Sequence, residues 1–182
     1  MSKVKFNPKA KAKATLTAKP EARSGISLGG VFKVKCYDVD GNLKWEDVNH
    51  NTVTNGGIED MLDVQFNSGT QVDPWYVGLK GVGATDVTDT LASHSGWTEL
   101  TGYTGDRQAF SANAAASKAV NNTGNLATFP ITGTATIAGA FLAGAATLNT
   151  AVLFCVENFS VARSVASDDT LTVEYTISGA DA

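Results

Sequence analysis

The sequence predicts a mostly β protein: an antiparallel β-sandwich, jelly-roll-like, with one short helix and an extended N-terminal arm. Apolar and polar residues alternate, most clearly where Leu171, Val173, Tyr175 and Ile177 stand between threonines and Glu174, and period two marks a half-buried strand. These stretches are short and separated by Gly, Asn and Ser, the punctuation of sandwiches and barrels. The first 23 residues, by contrast, carry seven bases against one acid and show neither helical nor strand periodicity, so alone they should be extended or disordered.

The chain divides into an arm, residues 1–28, and a body, residues 29–182, with Gly25, Gly29 and Gly30 read as a hinge between them. Phe32, Val34 and Cys36 alternate with Lys33, Lys35 and Tyr37 to open the body as a strand. Asp38-Val39-Asp40-Gly41-Asn42 is a turn, and Leu43–Val48 returns as the second strand of a hairpin. Asn55-Gly56-Gly57 breaks the chain before a short helix from Ile58 to about Phe66, in which Ile58, Met61, Leu62 and Gln65-Phe66 share a face and which Gly69 ends. Trp75–Leu79 is a compact apolar strand, followed by a polar connection in which Trp97 anchors the loop to the core. Further strands fall near 107–112, 117–120, 126–131, 133–142, 151–157 and 170–178.

Composition narrows the class. The chain has 182 residues, 43% hydrophobic and 18% charged, enough for one packed domain and low in charge for a surface wholly in water. Its net charge of −4 hides a division: residues 1–23 carry +6 and the remainder −10. The arm residues Lys3, Lys5, Phe6, Lys9, Lys11, Lys13, Lys19 and Arg23 are therefore the candidate partner-binding set. An acidic body would repel a nucleic-acid backbone, so an acidic protein surface is the expected partner. No apolar run is long enough for a membrane-spanning helix, and the N-terminus lacks the apolar stretch of a secretory signal.

Catalytic and metal signatures are weak. No GxSxG, Walker loop, HExxH or strand-borne GxGxxG occurs, so no enzyme activity and no cofactor are expected. His50 and His94 lack paired metal-ligand spacing. Asp38-x-Asp40 resembles the start of a calcium loop, but the sixth and twelfth positions are Leu43 and Asn49, where Gly and Glu are needed. Asp89, Ser93 and His94 lie in one loop, which does not by itself make them converge. Cys36 and Cys155 sit in apolar stretches as small buried hydrophobes, with a bridge between them left open.

Several segments resemble small structural proteins of tailed bacteriophages. They are Tyr37–Glu46 with His50-Asn51-Thr52-Val53, Trp75–Leu79, Asp89–Glu99, Ile137–Leu142, Phe159–Arg163 and Asp169-Thr170-Leu171, spread over residues 31–177. The resemblance implies a head decoration (cement) protein on the capsid exterior of the virion, made in the bacterial host cytoplasm. Its partner would be the major capsid protein, whose subunit contacts it stabilises. The arm lies outside the resemblance. A homo-oligomer, dimer or trimer, is the default for such a clamp. Two alternatives stay open: a tail, neck or fibre-base component, and a carbohydrate-binding module using Trp45, Trp75, Tyr76, Trp97 and Tyr103 as an aromatic platform.

Overall fold

The computed structural model describes residues 25–181. In chain order the elements are β1 (Ile26–Tyr37), β2 (Leu43–His50), β3 (Thr52–Val53), α1 (Asn55–Phe66), β4 (Trp75–Lys80), β5 (Glu99–Leu100) and β6 (Gln108–Phe110). There follow β7 (Ala119–Asn121), β8 (Ala127–Pro130), β9 (Ala135–Ile137), β10 (Gly139–Ala143), β11 (Leu153–Val156), β12 (Arg163–Val165) and β13 (Thr170–Asp181). The architecture is mostly β, antiparallel and sandwich-like, with one helix. One sheet runs β2-β1-β13, and β7 and β8 both pair along the far side of β13. The other runs β3-β11-β10-β4, with β5 and β6 along β4; β9 and β12 form a separate ribbon.

Alternation decides which face of the first sheet is buried. Phe32, Val34 and Cys36 of β1 and Leu171, Val173 and Tyr175 of β13 all point inward and are fully buried. They meet Val77, Leu79, Leu142 and Cys155 from the second sheet in one core. Burying each large apolar side chain contributes roughly 1.5–3 kcal/mol. The Phe32 and Tyr175 rings stack at 3.9 Å between centroids.

The second sheet is buried on both faces, so β10 and β11 do not alternate. On its outer face Phe141, Ala143, Leu153 and Val156 form a smaller cluster with Leu91 and Trp97. Those two side chains come from the polar connection, which the sequence reading had anchored through Trp97.

Three local differences from the sequence reading have simple causes. β1 begins at Ile26, so residues 26–28, read as the end of the arm, and the supposed hinge glycines Gly29 and Gly30 lie within a strand. The ladder from Ile26↔Asp181 to Tyr37↔Thr170 is what recruits them. The helix begins at Asn55 and includes Gly56 and Gly57, because Thr54 caps it by accepting from the Gly57 N–H at 3.0 Å. Gly57 must be glycine: a Cβ there would lie 2.3 Å from the Phe154 carbonyl oxygen. Finally, the expected strand 133–142 is two strands, β9 and β10, belonging to different sheets.

Gly78 lies opposite Phe141 in the β4–β10 ladder, and a Cβ on it would stand 2.2 Å from the Phe141 ring. Gly78→Ala should therefore lower the unfolding free energy by about 2–3 kcal/mol. Gly29→Ala, whose methyl meets nothing within 4 Å, should change it by less than about 0.5 kcal/mol. Urea unfolding of the two variants checks this; equal effects would mean that Phe141 moves aside freely.

Candidate functional site: an acidic, apolar helix face

The sequence-level candidates for chemistry resolve into structural parts. Asp89 accepts the Trp97 indole N–H at 2.9 Å through Oδ2, which also accepts the Asp86 backbone N–H at 3.0 Å. His94 stacks on Trp97 at 3.9 Å and pairs Nδ1 with the Trp97 carbonyl at 3.0 Å. The loop's polar side chains thus build a seat for Trp97. Asp38 turns its Oδ1 back to the N–H groups of Asp40 and Asn42, at 3.0 and 2.8 Å, and Gly41 adopts a positive φ of 82°, the arrangement of a hairpin turn. Among the described residues no group of three His, Cys, Asp or Glu side chains is placed to hold a metal.

Both cysteines are buried and free. Burial pushes the Cys36 thiol up to about 11 and the Cys155 thiol up to about 12, with Cys155 Sγ 3.1 Å from the Tyr175 hydroxyl. Neither is a thiolate at neutral pH. Of the five aromatics proposed as a platform, Trp97 and Tyr103 lie in the core, and Trp45 and Trp75 pack edge-on against Phe159 and Phe154. Tyr76 is half-buried beside Trp75 in β4, and the five do not form one exposed surface.

Several buried charges escaped the sequence reading, among them Asp47 held by Arg163 and Asp169 held by Lys44, and two clusters stand out. Arg107 clamps Glu99 with two bonds of 2.7 Å and reaches the Ala145 carbonyl at 2.9 Å and Asn149 Oδ1 at 3.0 Å, tying the 144–150 loop to β5. Lys80 at the end of β4 is fully buried, donating to Asn158 Oδ1 at 2.5 Å and the Gly83 carbonyl at 3.2 Å. Its desolvation pushes the ammonium down to about 8. Beyond the end of β11, Glu157 is 2% exposed and has no hydrogen-bond partner for either carboxyl oxygen. Burial, reinforced by the Asp47 charge, pushes that carboxyl up to about 9, so it is protonated at neutral pH. The signal was a lysine and a glutamate each ending an otherwise apolar strand.

The surface most unlike a solvated face is α1. The Thr54 hydroxyl donates to the Leu153 carbonyl and its N–H to the Phe154 carbonyl at 3.0 Å, fixing the helix start to β11. Only Gly57 is buried; Asp60 and Val64 turn half inward. Ile58, Leu62 and Phe66 follow one another at four-residue spacing on the outward side, with Phe66 80% exposed. Glu59 and Asp63 flank this stripe, and the helix contains no lysine or arginine. Among the described residues none of Glu59, Asp60 and Asp63 has a salt-bridge partner. Burial and the neighbouring Asp63 charge raise the Asp60 carboxyl above its usual value. Beneath the helix a groove of about 300 Å³ runs between Met61, Val64 and Trp75, and Trp75 also lines a larger one of about 620 Å³ toward β6 and β7. Of the residues the sequence placed on one face, Ile58, Leu62 and Phe66 do share a side, which the structure turns to solvent, whereas Met61 lines the groove beneath the helix.

The arm candidates Lys3, Lys5, Phe6, Lys9, Lys11, Lys13, Lys19 and Arg23 lie outside the described residues. No helix among the described residues is long and apolar enough to cross a membrane. No family model matches the chain, and a search of curated proteins finds no match.

The buried acid has a measurable consequence. A carboxyl raised in the folded state contributes stability below its unfolded value, near 4.5, and loses it as pH rises through about 9. Relative to Glu157→Gln, the wild-type protein should lose more than about 1 kcal/mol between pH 5 and pH 9. Urea midpoints at three pH values read this directly; a pH-independent difference would mean that the carboxyl is solvated.

Proposed function

We propose that this chain is a non-enzymatic structural component of a tailed-phage particle, of the head-decoration type. It would bind the outside of the capsid and stabilise contacts between major coat subunits. The observation that carries the reading is the division of charge: +6 on residues 1–23 against −10 on the rest, which suits a rigid body with a strap for an acidic protein surface. The segmental resemblance across residues 31–177 supplies the particle context. A sandwich-like body compatible with a jelly roll, its candidate catalytic loop occupied in seating Trp97, supports a binding role over chemistry.

In this reading the arm orders as it crosses the coat lattice, and the ordering cost is offset by contact over a large area. Binding only the assembled lattice stabilises it by mass action. The body would be the rigid bridge, and a dimer or trimer would multiply the number of straps at one lattice junction.

Quantitative mass spectrometry of purified particles tests this. A copy number comparable with the major coat protein is expected; a handful of copies would move the protein to the tail or neck, and absence would overturn the particle reading. Deleting residues 1–24 should weaken capsid binding at least tenfold while the body stays folded. The deletion must stop there, because residues 26–28 are rungs of the β1–β13 ladder. Unchanged binding would remove the strap from the mechanism.

A further inference from the structure

We infer that the outward face of α1 is the docking surface for the N-terminal arm of the same chain. The inference does not depend on the particle reading, since both surfaces belong to this protein. An exposed apolar stripe of Ile58, Leu62 and Phe66, edged by Glu59 and Asp63, calls for a partner that is apolar and basic together. The arm offers that combination: Val4 and Phe6 alternate with Lys3 and Lys5, and Lys9, Lys11 and Lys13 follow. The described body has seventeen acids against seven bases, so its own surface cannot supply the missing positive charge in quantity.

Position favours the same chain over a second copy. The Gly30 carbonyl accepts from the Asn51 N–H at 3.1 Å, and α1 begins four residues later at Asn55. Ile26 lies four strand residues from Gly30, so the root of the arm and the start of α1 are within roughly 30 Å of each other. Twenty residues separate Phe6 from Ile26, a contour of roughly 65 Å, about twice the span required. A tether of that kind presents its end at an effective concentration on the order of millimolar, which a separate copy reaches only in concentrated solution. Lysines meeting Glu59 and Asp63 at the surface contribute little each and are screened by salt, so Phe6 against the stripe supplies most of the hold. A docked arm covers the apolar stripe in the free protein.

Zero-length carbodiimide cross-linking of the full chain, prepared as an equal mixture of ¹⁴N and ¹⁵N protein and mapped by mass spectrometry, tests this. The expected products join Lys3, Lys5, Lys9, Lys11 or Lys13 to Glu59 or Asp63 within chains of a single isotope. Their yield should fall at least fivefold in Phe6→Ser and in Leu62→Asp/Phe66→Asp. Phe6→Ser leaves every described residue untouched, so its result stands even if the helix double variant fails to fold. Mixed-isotope products predominating would transfer the site to a second copy and overturn the intramolecular assignment. Arm lysines linked mainly to Asp86, Asp106 or Asp181, or yields unchanged in Phe6→Ser, would overturn the α1 face as the acceptor.

Discussion

The twelve-residue ladder between β1 and β13 is the constraint on which the rest of the body depends. It joins the most N-terminal and most C-terminal strands, and β13 in turn carries β7 and β8 on its other side. Removing β13 would leave the first sheet as the β1–β2 hairpin with two detached short strands. The ladder also sets the core, because Phe32 can stack on Tyr175 only in this register, where the two residues are direct partners. Gly30 completes the fit: a Cβ there would stand 2.6 Å from the Tyr175 ring. Pairing over so large a sequence separation makes loop closure a dominant cost in folding, so the body should assemble slowly for its size.

The second sheet solves a different problem, the covering of two apolar faces. Its inner face meets the first sheet, while its outer face is closed by loops instead of a third layer. Loops cover a sheet poorly unless they are pinned, and here polar side chains pin them. Asp89 and His94 hold Trp97 down, and Arg107 holds the 144–150 segment while standing 5.4 Å from the Phe141 ring. Asp89 and His94, which invite a catalytic reading in the sequence, act here as fasteners for Trp97. The same demand explains the contrast between the buried charges: Arg107 is paired in full, whereas Glu157 resolves its burial by remaining protonated.

Much of this architecture was legible because alternation is a local signal. The strands at 32–37, 43–48, 75–79 and 170–178 were all visible from period two or apolar clustering, and each proved longer at one or both ends. What escaped were elements created by partners. β3, β5 and β12 are two or three residues long, and nothing in Thr52-Val53, Glu99-Leu100 or Arg163-Ser164-Val165 announces a strand until β11, β4 and β9 lie beside them. Gly29 and Gly30 looked like a hinge because glycine weakens strands in isolation, yet the β13 ladder overrode that preference. The burial of Lys80 and Glu157 was hinted at only by their places at the ends of apolar stretches, since desolvation is a property of the surroundings.

The helix face shows how the two kinds of information combine. Spacing alone put Ile58, Leu62 and Phe66 on one side of a helix, and the ordinary inference from such a stripe is that it faces the core. Helix α1 reverses that expectation, because its attachment is made by glycine and backbone: Gly57 sits against the Phe154 carbonyl, and Thr54 bonds the end of the helix to β11. A helix held by its narrowest residue lies close to the sheet at that end and has its bulkiest residues turned away. The apolar stripe is thus left outside by the way the helix is fastened, and the acids beside it determine the chemistry of whatever covers it. If the arm docks there as proposed, the charge division in the sequence and the orientation of the helix are two halves of one arrangement.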